Sequence, residues 1–169
     1  FAEVAQFAGV HASDWSWSPL IFDMDNDGLL DIHVSNGIVK RPNDLDFIQY
    51  SQEADASIPL AELRKKQIAL LPELKIANFA WKNLGNLRFE NQAFDLGLGQ
   101  ASYSNGSAYA DLDNDGDLDL VINNLNQESF LYENRSERLG HAHLTVVLSQ
   151  EGFNRQALGA QVQVYAQGK

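Results

Sequence analysis

The chain has 169 residues, 44% of them hydrophobic and 10% aromatic, enough to build the core of one ordinary domain or two small ones and to exclude wholesale disorder. Twelve basic against 23 acidic residues leave a formal charge of −11, which repels phosphate backbones and argues against nucleic-acid binding. Without cysteine there is no disulfide, thiolate metal site or cysteine nucleophile, and no apolar run reaches the roughly 20 residues of a membrane-spanning helix.

The chain opens at Phe1 without a charged-then-apolar leader, so it reads as a piece of a longer protein whose targeting segment lies elsewhere. Its first strong feature is Asp23-Met24-Asp25-Asn26-Asp27-Gly28-Leu29-Leu30-Asp31, four acids in nine residues. Carboxylates at alternate positions turn toward one point when the backbone wraps tightly, and a glycine at position 6 supplies the sharp turn. Asp23, Asp25 and Asp27 are then the first ligands, the Leu29 carbonyl adds another, and Asp31 closes the shell. Oxygen-only ligands at this density suit a hard cation, Ca2+ ahead of Mg2+. An EF-hand needs an acid at position 12 and helices on both sides. Position 12 here is Val34, and the flanks Leu20-Ile21-Phe22 and Ile32-His33-Val34 are short and rich in β-formers, so the expectation is strand–loop–strand.

Residues 38–76 read as a helical insertion. Pro59 stands near a helix start, where its missing N–H costs nothing. Leu60, Leu63, Ile68 and Leu71 form an apolar stripe opposite Glu62, Arg64, Lys65 and Lys66, and Pro72 ends it. The basic run predicts a solvated face. A shorter helical turn is expected around residues 44–52. The closing strand Phe79-Ala80-Trp81-Lys82-Asn83 follows, and Asn83-Leu84-Gly85-Asn86 turns the chain into Leu87-Arg88-Phe89.

A shift of 88 residues then repeats the opening segment. Phe1 falls on Phe89, Ala5 on Ala93, Gly9 on Gly97, Ser16 on Ser104 and Asn36 on Asn124, with Trp15 on Tyr103 and Val10 on Leu98 in kind. The second loop, Asp111-Leu112-Asp113-Asn114-Asp115-Gly116-Asp117-Leu118-Asp119, carries five acids. Its expected ligands are Asp111, Asp113, Asp115, the Asp117 carbonyl and Asp119, with Ile122 at position 12. Asp/Asn/Gly clusters also make plain solvated turns, but two copies in one register favour the ion site. Phe130-Leu131-Tyr132-Glu133-Asn134 echoes the closing strand. Short strands repeated at a fixed period predict a mainly β chain of propeller-type blades.

These residues resemble FG-GAP/VCBS repeats, the calcium-bearing blades of integrin-α-like β-propellers, most closely from Ser104-Asn105-Gly106-Ser107-Ala108-Tyr109-Ala110-Asp111 through Leu131-Tyr132-Glu133-Asn134. The C-terminal His143-Leu144-Thr145-Val146-Val147-Leu148 and Asn154-Arg155-Gln156-Ala157-Leu158-Gly159-Ala160-Gln161-Val162 resemble the start of an ASPIC/UnbV module, as in proteins similar to cartilage acidic protein and bacterial surface relatives. The division implied is a first repeat over 1–37 and 77–88, the insertion over 38–76, a second repeat over 89–136 and a C-terminal β module over 141–169. Leu144, Val146 and Leu148, then Val162, Val164 and Ala166, alternate as two half-buried strands. The resemblance implies two Ca2+ sites in a non-catalytic scaffold or interaction module of a secreted or cell-surface protein, with a protein or glycan partner.

The alternative is part of an extracellular polysaccharide-acting enzyme whose catalytic residues lie mostly outside this chain, since paired carboxylates serve glycoside hydrolysis. The clustered Asp residues are, however, already accounted for as ligands, and His11, His33, His141 and His143 stand apart from any Ser or Cys signature. His141-Ala142-His143 reads as an exposed strand entry before it reads as a metal site. Trp15 and Tyr103, equivalent in the repeat, are expected to pack between blades, and Trp17, which falls on Asn105, to be exposed. Asn105-Gly106-Ser107 and Asn134-Arg135-Ser136 match the glycosylation sequon.

Overall fold

A short helical turn, α1 (Ala5–Ala8), leads into β1 (Ser16–Phe22) and β2 (Asp31–Asn36), which pair antiparallel around the first acidic loop in the computed structural model, which describes residues 1–52, 58–140 and 143–165. After α2 (Leu45–Gln52) and α3 (Leu60–Leu70), β3 (Phe79–Asn83) pairs with β2, and β4 (Phe89–Asn91) completes a four-stranded sheet in the order β1-β2-β3-β4. Residues that open the second repeat thus supply the last strand of the first sheet. The second sheet has three strands, β5 (Ser104–Ala110), β6 (Asp119–Asn124) and β7 (Phe130–Tyr132), in chain order. The chain is therefore mainly β, with two antiparallel sheets.

The two hairpins that carry the acidic loops match in backbone detail. β1 and β5, and β2 and β6, coincide residue for residue, and both first strands carry an irregularity at the same place, between Ser16 and Pro19 and between Ser104 and Gly106. Val10 N–H donates to the Ala5 carbonyl at 3.0 Å and Leu98 N–H to the Ala93 carbonyl at 2.7 Å. Gly9 and Gly97, at φ 80° and 77°, close these turns in the left-handed region, which glycine enters without steric cost.

Strand alternation sorts side chains into faces. The rows Leu20·His33·Ala80 and Phe22·Asp31 lie on one face of the first sheet; Tyr109·Leu120·Tyr132 and Ser107·Ile122·Phe130 lie on one face of the second. These faces meet. Phe22 stacks on Tyr109 with centroids 4.5 Å apart, and the Ser107 and Ser18 hydroxyls hydrogen-bond at 3.1 Å. The core runs through the contact, from Phe22, Met24 and Ala80 to Ala93, Leu98, Leu120 and Ile122. A Cβ on Gly37 would collide with the backbone of Tyr103 and Ser104.

The insertion forms its two helices, with Pro59 at the N-terminal boundary of α3 and the Asp44 carboxylate accepting the Phe47 N–H at 2.9 Å ahead of α2. The apolar stripe does not do what its periodicity predicts. No described residue of α2 or α3 is buried, because the helices stand off the sheets. Arg64, Lys65 and Lys66 are solvated as expected, with Lys66 paired to Glu62 at 3.0 Å.

Neither expected C-terminal strand forms among the described residues. Residues 143–165 hold only turns, such as Gln150 N–H to the Arg155 carbonyl at 3.2 Å. Leu144, Val146, Leu148, Val162 and Val164 are all exposed. An isolated pair of strands with nothing over its apolar face is marginal in water, and no described element covers this one. His141, Ala142 and Ala166 lie outside the described residues.

Candidate metal centre

Both acidic loops sit at the same end of the paired sheets. In each, the fourth and sixth positions turn left-handed: Asn26 and Gly28 at φ 56° and 87°, Asn114 and Gly116 at 64° and 92°. This wrapping aims backbone N–H groups at the first aspartate. Asp23 accepts from Asp27 at 3.1 Å and Gly28 at 2.8 Å; Asp111 accepts from Asn114 at 2.6 Å and Gly116 at 3.2 Å. One carboxylate oxygen each from Asp23, Asp25 and Asp27 lies within 4.8 Å of the others, and so do those of Asp111, Asp113 and Asp115. The alternating acids therefore converge twice, as the spacing predicts.

The ninth position has a different duty. Asp31 Oδ2 accepts the Met24 N–H at 2.9 Å and its Oδ1 the Asn83 N–H at 2.7 Å. Asp119 does the same with Leu112 at 2.9 Å and Asn134 at 2.8 Å. Both are buried. They clamp the start of the loop to the end of the closing strand and stand beside the convergent trio, outside it. The Asn83 and Asn134 amides add a return bond to the carbonyls of Leu30 and Leu118, at 2.9 and 3.1 Å. Asn134 also donates to the Met24 carbonyl at 2.8 Å, and Asn26 to the Gly116 carbonyl at 3.4 Å, so the two loops brace each other.

The seventh positions differ. Leu29 donates its N–H to Asp27 Oδ1 at 2.8 Å and exposes its side chain. Asp117 buries its carboxylate, whose Oδ2 accepts both the N–H and the hydroxyl of Ser136 at 3.0 Å. Its Oδ1 is buried without a protein hydrogen bond among the described residues, and Asp115, Asp117 and Glu137 form a further group of oxygens within 4.8 Å.

Electrostatics also separates the loops. At the first, Lys82 of β3 pairs with Asp25 and lies 3.4 Å from Asp27, and the bond to Asp25 raises the Lys82 pKa above its ordinary value. At the second, the equivalent residue is Glu133, which pairs with Arg135 at 3.0 Å instead. Crowding shows in the carboxyls: desolvation, then the Asp115 charge, raises Asp113, and desolvation raises Asp117, while the Asp117 N–H lowers Asp115. Desolvation raises Asp31 despite its two N–H bonds.

An oxygen-only donor set, an orphaned buried carboxylate oxygen at Asp117 and mutual repulsion of this kind all fit a hard cation. No family model matches the chain, and no curated protein matches it. The resemblance to FG-GAP/VCBS and ASPIC/UnbV proteins therefore rests on the motifs alone.

Several site residues are not legible from the loops themselves. Lys82, Asn83 and Asn134 come from closing strands, and buried Asn78 ties the units together, accepting the Asn36 N–H at 2.8 Å and donating to the Ser104 hydroxyl at 3.0 Å. The Asn83/Asn134 echo in the repeat is the one signal that points to them. Of the histidines, His11 is exposed, His33 is buried between the sheets, and His143 lies against Gly116, where a Cβ would strike its ring. Tyr103 is buried but Trp15 only half-buried; Trp17 is exposed, as expected. The Asn134 sequon falls on the clamp, so a glycan there would take one Nδ2 hydrogen and cost at least one of its two hydrogen bonds.

Proposed function

We propose that this chain is a calcium-braced, non-catalytic scaffold or interaction module of a secreted or cell-surface protein. The observation that carries the reading is the double construction of one site: the same trio of carboxylates, wrapped by the same left-handed turns, at the same end of two packed sheets. Asp23, Asp25, Asp27 and the Leu29 carbonyl would hold one Ca2+, with Asp31 clamping the loop beside it instead of closing the shell. Asp111, Asp113, Asp115 and the Asp117 carbonyl would hold the other, with Asp119 as the corresponding clamp.

The ion's contribution is mechanical. It cancels the repulsion among the trio and fixes the loop, and the ninth-position clamp passes that rigidity to the closing strand. At about 100 times Kd each site adds about 2.7 kcal/mol, which is large against the marginal stability of a domain. Modest affinity, about 10⁻⁴ to 10⁻³ M, suits the calcium-rich exterior of a cell. Two sheets meeting face to face are the arrangement neighbouring propeller blades would have, and the parent protein would supply further blades and present them to a protein or glycan.

Calorimetric titration of Ca2+ into chelator-treated protein, with thermal unfolding, tests the reading. Two sites, weaker binding of Mg2+ and a Tm rise of about 5 to 10 °C per site are expected. No binding up to about 10 mM, beyond the weak extracellular range, would reduce the loops to plain turns.

A further inference from the structure

At the seventh position of the second loop the expected ligand is a backbone carbonyl, so the Asp117 side chain is spare. The residue is nevertheless only 2% exposed. Oδ2 accepts the Ser136 N–H and hydroxyl, both at 3.0 Å, while Oδ1 is buried with no hydrogen-bond partner among the described residues. The carboxylate groups with those of Asp115 and Glu137, one oxygen of each lying within 4.8 Å of the others. Ionised carboxylates only accept hydrogen bonds, so none of the three can satisfy the orphaned oxygen. A water could donate to two of them at most and would leave their repulsion in place. Arg138 stands 3.5 Å from Glu137, in an exposed pair of the kind that contributes little.

Charge points the same way. The first loop holds four acids, and Lys82 with one Ca2+ would leave one negative charge there. The second holds five and Glu137 adds a sixth, so one Ca2+ would leave four, or three with Arg138 counted. The parts are also peculiar to the second repeat. Leu29 occupies the place of Asp117, and the match of Asn83 with Asn134 puts Gly85 and Asn86 in the places of Ser136 and Glu137. The group is an addition to one repeat and not a property of both.

We propose that Asp115, Asp117 and Glu137 form a further site for a hard divalent cation, next to the second loop's own ion and sharing Asp115 with it. Asp115 and Glu137 are exposed, so water can complete the roughly six to eight oxygens that Ca2+ takes. Glu137 lies in the short 3-10 turn Ser136–Leu139, which follows the closing strand. The cation staples the loop to the point where the chain leaves the second repeat, reinforcing the two bonds from Ser136 to Asp117. The proposal shares Asp115 with the calcium reading but stands on the side chains of Asp117 and Glu137, which that reading does not use.

Calorimetric titration of Ca2+ into the chelator-treated full chain, with amide NMR spectra recorded along the titration, tests this. The loops alone account for two binding events. A third, weaker one is expected below about 10 mM, and the Ser136 and Glu137 amides should shift with it. Glu137→Gln and Asp117→Asn should each lose the third event and its amide shifts, while both loop sites keep their affinity within about threefold. The Asn side chain can still accept from Ser136, and Glu137→Gln, at an exposed position, serves should Asp117→Asn unfold. Glu133→Gln removes an equal charge close by in the chain without touching the group, and should keep all three events. Two events in wild type, or three that survive both substitutions, would overturn the proposal and leave the loop sites standing. Equal loss of the third event in Glu133→Gln would also overturn it, by reducing the effect to surface charge. No binding at all would overturn this site and the calcium reading together.

Discussion

His33 is fully buried in the row Leu20·His33·Ala80, and neither ring nitrogen has a hydrogen-bond partner among the described residues. Desolvation lowers its pKa from 6.5 to about 4, so the folded chain holds it neutral. Below pH 6.5 the unfolded chain binds a proton that the folded chain refuses. Stability therefore falls as pH drops from about 6.5 to 4, by about 3 kcal/mol at the end of that window. His33→Leu keeps the volume, removes two unsatisfied buried polar atoms and abolishes this term. Its Tm should exceed that of wild type, and the gap should widen between pH 7 and pH 4 in parallel melts. A gap independent of pH would mean that the ring is solvated or paired in solution.

At the scale of elements, what each closing strand brings to its loop sets the loop's dependence on an ion. β3 brings Lys82 to Asp25 and Asp27, whereas the equivalent residue just after β7 is Glu133, which pairs with Arg135. The first loop thus has a built-in lysine, whereas among the described residues no lysine or arginine pairs with the second trio. Lys82→Gln should lower Tm in chelator by the equivalent of about 1 to 3 kcal/mol, below the full cost of breaking a buried pair because Lys82 is partly exposed. With saturating calcium most of that loss should return, and calcium affinity at one of the two sites should rise about tenfold. Calorimetry and melts that leave Lys82→Gln equal to wild type in both conditions would remove Lys82 from the site. None of this is visible in the loops, because it depends on strands that meet them from 15 and 52 residues away along the chain. What was legible is local. D-x-D-x-D-G with apolar alternation on both sides specifies a turn and its two strands, and the 88-residue shift specifies that it happens twice. Alternation failed at Leu144–Leu148 and Val162–Val164, and helical periodicity failed to bury Leu60 and Ile68, for one shared reason. A pattern states which side of an element wants cover, and only tertiary structure supplies the cover.

Across the whole molecule the insertion is the part that least resembles a component of the core. Arg41 N–H donates to the Pro72 carbonyl at 3.1 Å and Lys40 pairs with Glu73 at 2.7 Å, so the chain leaves the sheets and returns to them at nearly one point. Arg41 also pairs with Asp14, and Lys75 lies 5.4 Å over the Tyr103 ring, so the base of the insertion is anchored while its helices are not. The second repeat makes the same connection, β6 to β7, with only Leu125–Ser129. Replacing residues 43–70 with a short Gly-containing turn should therefore preserve the fold. Closing a shorter loop costs less entropy, by about 2 kcal/mol for a tenfold cut in length, against which the helices bury no described residue. The shortened chain should melt at the wild-type temperature or a few degrees above it, and its calcium stoichiometry should be unchanged. A loss of more than about 5 °C would show that α2 and α3 brace the sheets. An unchanged Tm would leave them as an appendage carried by the scaffold, held out from it and free to be the part that meets a partner.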